Sequence, residues 1–205
     1  DEGFSLGQKL KDKLGMRAST TAELVFDNVK IPADRLVGTE GGAVACMMRN
    51  LAVERVGLAA MSLGIARESV EVMNKYSRDR TSFGKPLNRY GQIQRHIADS
   101  YAEYMAGRCY TYQVAERLDL FSPPKQSDRV DSDGVKLFCS TMGKNVADRA
   151  IQTLGGYGYV GEYNVERLWR DAKLLEIGGG TLEAHQKNMT GDLSKLVTDK
   201  LDELY

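Results

Sequence analysis

The chain has 205 residues, and its 28 Lys and Arg balance 28 Asp and Glu. That balance gives no argument for a nucleic-acid partner or an anionic membrane surface, and no apolar run is long enough to span a bilayer. Three scattered cysteines (Cys46, Cys109, Cys139) and two scattered histidines (His96, His185) suit neither a disulfide framework nor a metal site, and they fit a reducing compartment.

The opening DEGFSLGQKL carries no signal-peptide pattern and does not read as a natural protein start, so the chain is expected to be a piece of something longer. AELVF at 22–26 and VKIP at 29–32 read as short strands with Asp27 and Asn28 as the turn between them. Two strands do not make a stable sheet, so residues 1–40 are expected to be the end of a β domain whose other strands lie upstream. Pro32 and the glycines at 38, 41 and 42 close this region.

From residue 43 the pattern turns helical. A first helix is expected to about Arg78, with Met47, Leu51, Leu58, Met61 and Ile65 on one stripe. Glu54 lies in the middle of that stripe. A core-facing carboxylate must be paired, neutralised or functional. The helix alone leaves two readings open: an ion pair with an Arg of a neighbouring helix, or a general base in apolar surroundings. RDRTSFGKPLNRYG at 78–91 is a connector. A second helix is expected over about 92–121, with Ile93, Ile97, Tyr101, Met105, Tyr112 and Ala115 on its face. SPPKQSD at 122–128 breaks it. A third helix is expected over about 131–154, with Val135, Phe138, Met142, Val146 and Ala150 inward, then a Gly/Tyr loop at 155–163 and a short helix at about 164–175. A last helix starts near Thr181, its N-cap. The fold class is mainly α: an antiparallel four-helix bundle over 41–205, preceded by a β remnant.

Three loops carry chemistry. In RTSFGKPL (80–87), Arg80 could grip a phosphate bidentately or simply be solvated. In QTLGGYG (152–158), the Gly pair either lets another molecule approach the backbone or caps a helix. EIGGGT (176–181) is similar to a phosphate-cradling loop before a helix N-terminus but has neither Rossmann nor P-loop spacing.

Taken in order, KLGMRAST (13–20), FDNVKIP (26–32), LAVERVGLAA (51–60), RTSFGKPL, QTLGGYGY, RDAK (170–173) and EIGGGT resemble the acyl-CoA dehydrogenase family over essentially the whole chain. The resemblance implies the last part of a middle β domain followed by a C-terminal four-helix domain. It implies α,β-dehydrogenation of an acyl-CoA: a carboxylate takes the α-proton and FAD takes the β-hydride. Most of the family carries the base as Y-E-G-T, and here Gly179 stands at that Glu. The isovaleryl-CoA type carries it on the helix in a Leu-Glu-Arg pattern, which Val53-Glu54-Arg55 resembles, so Glu54 is the expected catalytic base. A small residue at 179 also leaves room for a branched acyl chain. By the same resemblance, Arg80, Phe83, Gln94, Gln152, Gly155, Gly156, Thr181 and Glu183 are expected at FAD, with the Arg80 and Gln152 segments serving a neighbouring subunit. Ala52, Val53, Arg55 and Gly179 are expected at the substrate. Three positions depart from the pattern: Gly91 for a Gln, Ala52 for an Asp, and Ala45 for the Tyr of the isovaleryl type. The implied function is conversion of isovaleryl-CoA to 3-methylcrotonyl-CoA in leucine catabolism, or dehydrogenation of another short, branched or straight-chain acyl-CoA. Implied partners are electron-transfer flavoprotein and further copies of the chain in a dimer of dimers. The implied location is the mitochondrial matrix in a eukaryote and the cytoplasm otherwise. The rival of another class is a non-catalytic helical oligomerisation module.

Overall fold

The computed structural model describes residues 2–119 and 126–195. Strand β1 (Phe4–Lys9) pairs antiparallel with β2 (Ala22–Phe26), Phe4 opposite Phe26 and Leu6 opposite Leu24. The strand expected at 29–32 does not form. Asn28 turns the chain at a left-handed φ of 52°, and Pro32 removes a ladder donor. Its place as partner of AELVF is taken by FSLGQK, whose apolar alternation of Phe4 and Leu6 stops at Gln8. Phe4, Leu6, Leu24 and Phe26 remain exposed, as a two-stranded ribbon without a further layer must leave them.

Three long helices follow: α1 (Ala43–Asp79), α2 (Gly91–Arg117) and α3 (Gln126–Leu154). The connector between α1 and α2 is a small hairpin of β3 (Thr81–Ser82) and β4 (Lys85–Pro86). Then come the one-turn α4 (Gly156–Tyr159), in what was expected to be a loop, α5 (Val165–Leu175) and α6 (Leu182–Leu193). Helix α2 ends at Arg117 rather than 121. Helix α3 begins before the expected residue 131. The expected break at SPPKQSD lies outside the described residues up to 125.

Cross-helix contacts give the directions. Arg55 meets Asp133, and Gly143 abuts Ser62, so α1 and α3 run parallel. Arg149 bonds Glu103, while Gly107 faces Cys139, so α2 runs against α3. His185 bonds Asp133, and Arg129 bonds Asp192, so α6 also runs against α3. Helix α3 thus sits in the middle of the bundle. Its Val135, Cys139, Met142, Val146 and Ala150 pack on Ala59, Leu63, Ala66 and Met73 of α1. The ribbon is joined to this body through residues 14–16. Met16 N donates to Asp171 Oδ1 at 2.5 Å, and Arg170 Nη1 donates to Leu14 O at 2.9 Å. Between them Gly15 is buried where a Cβ would stand 2.3 Å from Arg170 O.

The expected inward stripe of α1 is corrected. Met47 and Met61 are exposed, Leu51 and Leu58 half-buried, and of the five only Ile65 is buried. The inward face is made of smaller residues, among them Ala52, Val56, Ala59, Ser62 and Ala66, because α1 and α3 approach closely at Ser62 and Gly143. The face of α2 shifts likewise. Tyr101 and Tyr112 are exposed, and Ser100, Gly107, Thr111 and Val114 point inward. On α3 the expected face holds except for Phe138, which is exposed.

Candidate functional site

The expected site residues gather at two places. The first is formed by the middle of α1 and the loop before α6. With the stripe reassigned, Glu54 is exposed rather than core-facing, on the side of α1 that looks toward residues 178–180. Its carboxylate makes no salt bridge among the described residues, although it lies in the field of buried Lys136. The ion-pair reading of Glu54 therefore fails. Gly179 stands opposite. A Cβ there would lie 3.5 Å from Glu54 Oε1 and only 2.5 Å from Leu58 Cδ1. The backbone of Gly179 has φ +65° and that of Gly180 +110°, conformations that favour glycine. The loop thus brings bare backbone, with no side chain, up to the carboxylate.

Of the other residues expected at the substrate, Val53 is exposed, whereas Ala52 and Arg55 turn inward. Arg55 Nη1 lies 2.8 Å from Asp133 Oδ1 inside the bundle, so this guanidinium supports the helix from behind and does not face the open side. Thr181 caps α6, its Oγ1 accepting from Ala184 N at 3.3 Å. Glu183 is exposed beside it. Its own backbone N–H and the Thr181 hydroxyl hold its carboxyl below the usual range.

A buried polar network lies beneath this loop. His185 Nδ1 is 2.7 Å from Asp133 Oδ1, and His185 Nε2 is 3.0 Å from Gly180 O. Lys136 Nζ donates to the same carbonyl at 2.5 Å. Asp133, Lys136 and His185 are fully buried. Burial, and then the neighbouring Arg55, push the Lys136 ammonium down to about 8. Sequence reasoning missed this network. The available signal was Asp133 and Lys136 continuing the inward period of α3, where solvent-facing charge has no reason to sit.

The second place is the far end of α1. Arg80 follows that helix directly, exposed and without a salt bridge among the described residues. Phe83 is 97% exposed at the tip of the hairpin, with φ 46°, and Gly84 follows at +79°. Two successive positive φ values make a type I′ turn, a costly geometry for a bulky aromatic. Tyr90 Oη donates to Ser82 O at 2.6 Å, and Gln94 Nε2 donates to Asn88 O at 3.0 Å, which fixes the base of the hairpin. Across from it, Gly155 at φ +60° ends α3, its N–H bonded to Ile151 O. The helix-cap reading of the Gly pair holds. The surface is open as well: a Cβ at 155 or 156 would meet nothing within 4 Å, and Gln152 is exposed beside them. A cleft of about 430 Å³ brings Arg80 together with Tyr76, Tyr157 and Tyr163. Their rings pack with centroids 5.3 Å to 6.4 Å apart. The tyrosines were not singled out from the sequence. Arg80 was, and it lines this cleft; Gly155 and Gly156 precede its Tyr157 in sequence.

The two places do not meet. At about 1.5 Å of rise per residue, Glu54 and Arg80 lie roughly 39 Å apart along α1.

Comparison with known proteins covers both places. Residues 41–192 match the family model described as acyl-CoA dehydrogenase, C-terminal domain. An isovaleryl-CoA dehydrogenase of Oryza sativa is 44% identical over 193 residues, covering 94% of this chain and 46% of that protein. A 2-methylacyl-CoA dehydrogenase of Solanum tuberosum is 41% identical over the same share of each. The solved structure of butyryl-CoA dehydrogenase from Megasphaera elsdenii superposes with a TM-score of 0.89 at 37% identity, over 95% of this chain and 49% of that one. The chain thus spans about half the length of these relatives.

Proposed function

Since this chain belongs to the acyl-CoA dehydrogenase family, we propose that the whole protein is an FAD-dependent acyl-CoA dehydrogenase acting on a short branched acyl-CoA, with isovaleryl-CoA, which gives 3-methylcrotonyl-CoA, as the favoured substrate. Glu54 takes the α-proton. The observation that carries this reading is the pairing of a free carboxylate on α1 with a bare glycine loop facing it. A general base needs an unpaired carboxylate beside open space. Gly179 puts bare backbone beside the carboxylate, so no side chain of the loop stands between Glu54 and an acyl chain that reaches it.

The residues fit FAD. Arg80 offers a guanidinium without a salt bridge among the described residues for a pyrophosphate, and Phe83 an aromatic face left 97% exposed by them. Gly155 and Gly156 leave backbone open to an adenylate. Thr181 and Glu183 stand at the loop beside Glu54 and would meet the flavin end, with Gln94 behind the hairpin. Bound FAD would supply the acceptor for the β-hydride. A span of roughly 39 Å along α1 exceeds the reach of one dinucleotide. Glu54 and Arg80 of one subunit therefore serve two different flavins, which requires an oligomer, in this reading a dimer of dimers. Electron-transfer flavoprotein is the proposed acceptor of the electrons. Residues 1–40 belong, in this reading, to the middle β domain, and 41–205 to the helical one. Mitochondrial relatives in rice and potato support a matrix location in a eukaryote.

The test is Glu54→Gln in the full-length protein. The amide keeps shape and loses the base. Flavin content should be retained, while bleaching by isovaleryl-CoA in stopped flow slows by about 10²- to 10⁴-fold. Near-normal bleaching would sink Glu54 as the base. Rates for isovaleryl-, 2-methylbutyryl- and butyryl-CoA with an artificial acceptor decide the acyl chain.

A further inference from the structure

Two buried side chains meet at one carbonyl, and two more stand behind them, the four coming from three helices. Gly180 O accepts from Lys136 Nζ at 2.5 Å and faces His185 Nε2 at 3.0 Å. His185 Nδ1 reaches Asp133 Oδ1, and so does Arg55 Nη1 at 2.8 Å. Both ring nitrogens of His185 are thus engaged, one by the Asp133 carboxylate and one by the Gly180 carbonyl. Arg55 is the residue after Glu54, and Gly180 is the residue after Gly179. The helix that bears the carboxylate and the loop that faces it are therefore tied, one residue away on each side, to the same Asp133.

Stability alone does not account for this arrangement. Buried charges cost desolvation, and apolar residues of similar volume often do as well or better. The network is also incomplete. Asp133 Oδ2 and Arg55 Nε are buried without a hydrogen-bond partner among the described residues. What it provides is position. Gly179 and Gly180 occupy left-handed backbone that no side chain of their own stabilises. Leu58 Cδ1 already crowds the Cβ direction of Gly179, so a small shift of the loop would close the gap over Glu54.

We propose that Asp133, Lys136 and His185 are positioning residues that hold the Gly180 carbonyl and thereby fix the Gly179 loop beside Glu54, the carboxylate that meets the acyl α-carbon. The proposal rests on the reading of Glu54 as the base.

The experiment uses the full-length flavoenzyme with Lys136→Met and Asp133→Asn, and His185→Gln as the milder change. Two quantities are read. The first is flavin bleaching against isovaleryl-CoA concentration, which separates the limiting rate from acyl-CoA affinity. The second is amide hydrogen exchange at 177–182, with α2 as the internal reference. Misplacing reacting groups by about 1 Å costs on the order of 100-fold. Lys136→Met and Asp133→Asn should lower the limiting rate by about 10- to 100-fold with the acyl-CoA dissociation constant nearly unchanged. Loop exchange should rise while that of α2 stays the same. His185→Gln can keep a donor on Gly180 O and should lose less. If either of the first two variants does not fold, the same split is required of His185→Gln. An unchanged limiting rate with unchanged loop exchange overturns the proposal, as does a loss confined to acyl-CoA affinity. Failure of the Glu54 reading looks different: Glu54→Gln would bleach normally, whereas the exchange measurement would still report on the loop.

Discussion

Glu54 and Gly179 face each other across a gap that a side chain at 179 would close. The gap limits what exchanging them can achieve. Moving the carboxylate to the loop, Glu54→Gly with Gly179→Glu, places a base where most of the family has it. Here the new Cβ would lie 2.5 Å from Leu58 Cδ1, on backbone at φ +65°. Left-handed backbone costs an ordinary residue about 1–2 kcal/mol, and the clash adds to that. The double variant should stay near the background of Glu54→Gln. Adding Leu58→Ala should restore part of the bleaching rate, with straight-chain acyl-CoA preferred, because the new side chain fills the space a branch would use. Full recovery without the Leu58 change would show that the loop is softer than this geometry requires. Lys136 gives a second prediction at this scale. Its folded value of about 8 lies below the 10.5 of a free lysine. Below pH 8 both folded and unfolded chains hold the proton, and the cost of burying the cation is fully present. Between about 8 and 10.5 the unfolded chain binds more protons, so stability rises with pH in that window. Lys136→Met should flatten that rise, by at most a few kcal/mol. Urea unfolding across the window measures it, and equal slopes in both proteins would show that burial does not lower the Lys136 ammonium.

The helices show what the sequence made legible and what it hid. Their existence and order were readable from periodicity and turn residues; α1 and α5 begin and end, and α6 begins, within a residue or two of expectation. The inward faces of α1 and α2 were not readable, because large apolar residues were weighed above small ones. Met61 and Tyr101 look like core in a list and are exposed, while Ser62, Gly107 and Gly143 look neutral and sit where helices touch. Glu54 drew notice as a charge within a stripe of large apolar residues. That stripe is the open face of α1, which is where a base that must meet a substrate belongs. The loops were legible as motifs, whereas the Asp133–His185 link joins residues 52 apart in sequence and leaves no local trace. Close packing predicts opposite outcomes for two glycines. A Cβ on Gly143 would stand 3.0 Å from Ser62 O and 3.1 Å from Ser62 Cβ, whereas one on Gly64 of α1 would meet nothing. Gly143→Ala should therefore destabilise this chain by about 1–3 kcal/mol. Gly64→Ala should stabilise it by roughly 0.5–1 kcal/mol, through helix propensity. Urea midpoints decide, and a neutral Gly143→Ala would mean that α1 and α3 are not held at this distance.

For the whole molecule, the decisive length is that of α1. Its 37 residues extend about 55 Å. The carboxylate lies in the first half of the helix and Arg80 just past its end, so in the proposed reading one chain contributes to two flavins and completes neither. This yields a test by mixing subunits. Glu54→Gln lacks the base but keeps Arg80. Arg80→Ala keeps the base but loses a charge-assisted contact, and its flavin affinity should fall by about 10- to 100-fold. Alone, each is defective. Co-expressed in one cell, the two chains pair at random, and half of the pairs are mixed. In a mixed pair, one flavin meets Glu54 from the Arg80→Ala chain and Arg80 from the Glu54→Gln chain, and is fully served. The other flavin meets neither. About a quarter of the sites should then be intact, if the subunits pair through a two-fold interface. Bleaching by isovaleryl-CoA at limiting flavin should reach that fraction of wild type, well above either parent. If both residues served the flavin of their own subunit, no mixed pair could restore a site, and the co-expressed sample would show only the mean of the two parents.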